Sequence, residues 1–95
     1  MNGATVVDIP IIYILEGKTV IAYSPALDMC THGDDMADAR KSFDTTFKLF
    51  IREVSRRGTL KRVLKEYGWK EHRGKWIPPK IIRHDTHPVK VPAAA

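Results

Sequence analysis

The chain of 95 residues holds a single cysteine, Cys30, so it cannot close an intrachain disulfide, and nothing in its composition marks an oxidising compartment. It also lacks a long apolar run. The stretch from Ile9 to Leu15 falls well short of the roughly 20 residues a membrane span needs, and no basic region or small-residue cleavage site frames it as a secretion signal. A cytoplasmic protein with no membrane attachment is the expectation. Phosphate-loop, dinucleotide-binding, serine-elbow and His-Glu-x-x-His patterns are all missing. The single asparagine, Asn2, stands near a chain end, so an acylphosphatase-like Arg and Asn pair has little to draw on, and no converging carboxylate set marks an RNase-H-like centre. Nothing here specifies an enzyme or a cofactor.

Acidic charge is scarce in the second half of the chain. Residues 1–50 hold four Lys or Arg against seven Asp or Glu, a balance of −3, whereas residues 51–95 hold twelve against four, a balance of +8. The basic half could attract a polyanion or an acidic surface, with Arg52, Arg56, Arg57, Lys61, Arg62 and Lys65 as the candidate contacts. A solvated basic face with helix-end charges opposing the macrodipole accounts for the same residues, and the segment has no aromatic and glycine interleaving of a base-stacking platform.

What the sequence does contain is the pattern of one α+β domain over residues 1–83, with a Pro- and Ala-rich tail at 84–95. Apolar residues alternate at Val7, Ile9, Ile11, Tyr13 and Leu15, predicting a strand from Val6 to Leu15, with Pro10 restricting it to an edge or a bulge. Glu16-Gly17-Lys18 predicts a tight turn, Thr19 to Tyr23 the returning strand, and Met29 to His32 a short third strand. Pro25 cannot donate to a ladder, so the second strand ends there. From Asp35 to Arg57, apolar residues at Met36, Ala39, Phe43, Phe47, Phe50, Ile51 and Val54 recur at helical spacing, with Asp34 or Asp35 as cap and Gly58 as stop. Thr59 opens a short second helix that ends at Gly68, where Trp69 folds back on the last turn. After a turn at Lys70 to Lys75, Trp76 to Ile82 is extended, its two prolines confining it to a sheet edge or an exchanged arm. The predicted architecture is a three-stranded antiparallel sheet, a long helix across it, a short second helix and a C-terminal edge or exchanged strand.

Candidate chemistry is thin. His84-Asp85-Thr86-His87, with His72 upstream, offers too few ligands on an unstructured frame for a closed zinc site. Cys30 and His32 share a strand face, but a nucleophilic pair needs a cleft and an orienting group, and a half-buried thiol beside a strand-end imidazole is the simpler reading. Asp34, Asp35 and Asp38 stand where a helix N-terminus favours negative charge. A sheet covered on one side leaves its other face open, where Ile12, Ile14, Val20 and Ala22 could sit and favour a protein partner or self-association. The expected self-association surface is therefore Ile12, Ile14 and Val20, with Ile81 and Ile82 supplying an added or exchanged strand.

Two stretches carry a family likeness. Val20-Ile21-Ala22-Tyr23-Ser24-Pro25-Ala26-Leu27-Asp28 resembles the aromatic-x-Pro-x-Leu strand end, and Gly33-Asp34-Asp35-Met36-Ala37-Asp38-Ala39 the Gly-Asp-Thr-x-x-Glu-Ala helix start, of the HicB-like antitoxins of bacterial and archaeal toxin-antitoxin systems. Gly58 to Trp69 resembles the helical extension of some small members, so the likeness spans roughly residues 6 to 82. It implies a topology related to the double-stranded-RNA-binding domain, self-association through the sheet as a homodimer or higher oligomer, and a HicA-type ribonuclease as the partner to be blocked. Asp35 stands where the family pattern has Thr. The promoter-binding helical module that many members carry has no counterpart after Ile82.

Overall fold

The computed structural model describes residues 6–94. Asn2 lies outside them. Three strands, β1 (Ile12–Glu16), β2 (Thr19–Ser24) and β3 (Met29–Gly33), form an antiparallel sheet in the order β1-β2-β3. Helix α1 (Met36–Arg56) packs across one face of it, followed by a short helix α2 (Leu60–Glu66) and a separate hairpin of β4 (Lys70–His72) and β5 (Lys75–Ile77). The α+β class and the order of the first five elements are those the sequence pattern predicts.

The first strand is shorter than its alternating pattern. Residues 6–11 carry no strand pairing, and β1 begins two residues after Pro10, which has no amide to give to a ladder. The turn at Gly17-Lys18 then sets the register, pairing Glu16 with Thr19 and Ile14 with Ile21. Between β2 and β3, the Ser24 hydroxyl accepts the Ala26 amide at 3.2 Å, and Ala26 and Leu27 are buried. Pro25 thus ends the strand while the turn after it plugs the core.

The junction into α1 is built from carboxylates. Asp35, in extended conformation, caps the helix by accepting the Asp38 amide at 2.7 Å, and Asp38 reaches back to accept the Asp34 amide at 2.9 Å. This reciprocal arrangement satisfies one donor that the helix start leaves unpaired, the Asp38 amide, and one from the residue before the cap, and it places the accepting carboxylates on Asp35 and Asp38, with Asp34 as a donor only. Gly33 acts through space: a Cβ there would stand 2.5 Å from the Ala39 nitrogen and 2.7 Å from the Asp38 carbonyl carbon. Only glycine lets β3 run so close beneath the first turn of α1.

Both helices end alike. Gly58 and Gly68 take positive φ, and the amides of Thr59 and Trp69 reach back to the carbonyls of Val54 and Leu64 at 2.9 and 3.0 Å, the paired bonding of a Schellman cap. Thr59 does not cap α2 with its side chain as expected; its hydroxyl donates to the Val54 carbonyl, because the α1 terminus has claimed it.

The core has two parts. Ala22, Ala39 and Phe43 are buried between sheet and α1, with Val20, Tyr13 and Phe47 packed around them. Ala26, Leu27, Leu64 and Trp69 form the second cluster, joining the β2–β3 turn to α2, and the Trp69 indole donates to the Ala26 carbonyl at 2.8 Å. Met36 is 57% exposed: it occupies the first helical position, beyond the edge of the sheet it was expected to cover.

The C-terminal strand forms as β5, paired with β4 and not with the larger sheet. The predicted turn at Lys70 to Lys75 is in fact most of this hairpin, its tip at Arg73 and Gly74. Residues 78–94 have no regular structure, and 82–94 are exposed throughout. No helix among the described residues is long and apolar enough to cross a membrane.

Candidate interaction surfaces

Strand alternation and register decide which side chains the sheet offers to a partner. Pairing aligns Tyr13 with Ala22 and Thr31, and Leu15 with Val20 and Gly33; these rows face α1, where the Thr31 hydroxyl donates to the Ala39 carbonyl at 3.1 Å. The opposite rows are Ile12, Tyr23 and Cys30, then Ile14, Ile21 and His32. None of these six belongs to either buried cluster, and no described helix lies over them.

The register corrects the expected surface. Ile12 and Ile14 do stand on the bare face, but Val20 and Ala22 are on the helix side, Ala22 with no exposed area at all. The two-residue turn at Gly17-Lys18 puts Val20 opposite Leu15, so the bare face takes Ile21 and Tyr23 in their place. That signal was present in the sequence, since a two-residue loop from Glu16 to Thr19 fixes the parity of both strands.

Polar groups border this apolar patch. The Tyr23 hydroxyl donates to the Asp28 carboxylate at 2.9 Å, a bond that, with the nearby negative charge, holds the phenol above its ordinary pKa. Cys30 is exposed, not half-buried as expected, and shares the face with His32, with no carboxylate bonded to either. No group of three metal-binding side chains occurs among the described residues. In the tail, Asp85 pairs with Arg83 at 3.4 Å and accepts the Thr86 amide, which leaves it poorly placed to hold His84 and His87 together. Of the two apolar residues expected to add a strand, Ile81 is half-buried and Ile82 is 90% exposed, and neither lies in a strand.

The outer edge of β1 is likewise unpaired. Its sequence, Ile-Tyr-Ile-Leu-Glu, has none of the lysines, prolines or bulges that blunt such an edge, and Leu15 is 73% exposed. At the other edge β3 carries Cys30, His32 and Gly33 and lies under α1.

The basic residues divide by partner. Arg56 and Arg57 both bond Glu53, whose carboxyl they hold below its ordinary pKa; Arg62 meets Glu66 at 3.3 Å, and Lys61 meets Glu71 at 3.4 Å. Four of the six expected polyanion contacts are therefore already engaged. Arg52 and Lys65 are exposed and form no ion pair among the described residues.

Comparison of the chain with protein-family models, with curated proteins and with solved structures finds no match.

Proposed function

We propose that this chain is a HicB-like, non-enzymatic binding protein that self-associates through its three-stranded sheet and masks a HicA-type ribonuclease. The observation that carries the reading is the bare sheet face. Ile14 is exposed there, with Ile12, Ile21 and Tyr23 half-buried beside it and none of them in a core cluster, next to an unguarded β1 edge, and surfaces of both kinds favour association. A second copy is the natural occupant of this face and edge, because a strand edge is complementary to itself in antiparallel pairing.

Charge supports the second half of the reading. A nuclease that binds RNA presents a cationic surface, and residues 1–50, with a balance of −3, include the Asp34, Asp35 and Asp38 cluster and Asp28 at the β2–β3 turn. Masking is then steric and electrostatic, with no bond made or broken by the antitoxin. The aromatic-x-Pro-x-Leu segment and the Gly-Asp-Asp helix start, which carry the family likeness, form the plugged turn and the capped, tightly packed junction of this scaffold.

The test has two parts. Light scattering on the purified chain should give a dimer or larger species that Ile14→Ser converts to monomer; a monomer at all concentrations overturns the self-association. Tagged protein recovered from the native cell should bring down a small ribonuclease and inhibit its RNA cleavage when the two are mixed. Repeated recovery with no nuclease, or a nuclease that cleaves undiminished in the complex, overturns the masking.

A further inference from the structure

Three of the cations that form no ion pair lie on the hairpin. β4 and β5 pair Lys70 with Ile77, Glu71 with Trp76 and His72 with Lys75, so Lys70, His72, Lys75 and Ile77 share one face while Glu71 and Trp76 share the other. Trp76 packs against the buried cluster, and Glu71 is taken by Lys61 of α2. The inward face is thereby anchored and neutral. The outward face is exposed and cationic, and Lys70, Arg73 and Lys75 have no carboxylate partner among the described residues.

The tip holds its charge in an unfavourable conformation. Arg73 has φ 53° and Gly74 φ 77°, the left-handed pair of a type I′ turn, where Asn or Gly is the favoured first residue and a long side chain is strained. The positive charge sits at the most projecting point of the hairpin in spite of that cost. A two-stranded ribbon is also narrow enough to enter a groove of duplex nucleic acid.

From this geometry we infer that the outward face of the β4–β5 hairpin, with Lys70, Arg73 and Lys75 as its charges, binds the phosphate backbone of a nucleic acid. An acidic protein surface is the weaker fit. Protein interfaces centre on apolar and aromatic anchors and are depleted in lysine, whereas here the one aromatic side chain points inward and Ile77 is the only apolar residue outward. The site is remote in sequence from the sheet face and does not depend on the masking of a nuclease.

The experiment is fluorescence-anisotropy titration of the full chain with short RNA and DNA of mixed sequence, single-stranded and duplex, across a salt series. Binding at low salt should weaken steeply as salt rises. The triple variant Lys70→Gln/Arg73→Asn/Lys75→Gln should lose at least about tenfold in affinity at low salt and about 2–3 from the slope of log affinity against log salt, since each phosphate contact contributes ~0.7–0.9. Asn suits the left-handed position better than Arg, so the variant keeps its hairpin, which an unchanged circular dichroism spectrum verifies. Arg56→Gln/Arg57→Gln, which removes two paired cations, should bind nearly as the parent does. The inference is overturned if the parent binds no nucleic acid at low salt, if the triple variant binds like the parent, or if the helix variant loses as much. It is overturned in favour of an acidic protein partner if polyglutamate competes as well as RNA and DNA of equal charge. The outcome leaves the light-scattering and nuclease results untouched.

Discussion

Ile21 and Ala22 are neighbours in one strand, yet one is half-buried on the bare face and the other is sealed beneath α1. The two faces of the sheet differ in what holds them. On the helix side small residues, Ala22, Gly33 and Ala39, let backbone approach backbone, and Phe43 fills the remaining space. On the bare side large apolar residues, Ile12, Ile14, Ile21 and Tyr23, stand with no complement. The lesson is that close approach needs small side chains: where α1 meets the sheet, Ala22 and Gly33 let the backbones come together with Tyr13 and Val20 packed around them, and the bare face carries larger apolar residues that no helix meets.

That contrast can be broken in graded steps. The largest effect should come from Phe43→Ala, which empties the centre of the helix-side core and should cost about 3–5 kcal/mol in urea denaturation. Gly33→Ala forces a methyl group against the Asp38–Ala39 backbone and should cost about 1–3 kcal/mol, since neither β3 nor α1 can yield without disturbing the caps. Asp35→Ala removes the cap of α1 and should cost about 1 kcal/mol, visible as a lower denaturation midpoint with an unchanged fold. On the opposite face Ile14→Ser should alter the stability of the isolated monomer by no more than about 0.5 kcal/mol, while it shifts the association equilibrium. A loss there matching that of Phe43→Ala would mean that the face is covered within the monomer, and the contrast would fail.

The smallest expected effect is a titration. The Tyr23 phenol, bonded to Asp28, has its pKa raised in the folded protein, so the bond contributes stability below the unfolded value near 10 and that contribution is lost as pH rises through the folded value. Tyrosinate absorbance followed to alkaline pH should show the Tyr23 phenol ionising late, and Asp28→Asn should bring it back toward the ordinary phenol value.

Much of this fold was legible in the sequence because its signals are local. The period of Phe43, Phe47, Ile51 and Val54 marks α1, and Gly58 and Gly68 mark the helix ends. Less legible was anything that depended on space. Pro10 shortened β1 where alternation alone ran on to Val6, and the parity of Val20 followed from the two-residue turn and not from its own hydrophobicity. Gly33 looked like a turn residue, and its need is the nearness of α1, which no local pattern announces. The basic stretch from Arg52 to Lys65 read as one surface. Its pairing with Glu53, Glu66 and Glu71 split it, and the last of these partners lies on a hairpin that the sequence presented as a mere turn.

The bond from the Trp69 indole to the Ala26 carbonyl also ties together distant parts of the chain. It spans 43 positions, so the β2–β3 turn is closed by a residue that lies beyond both helices. Chain synthesis therefore delivers the acceptor on the β2–β3 turn well before its donor. A chain cut short before Trp69 would contain the sheet and both helices yet lack the group that closes this turn.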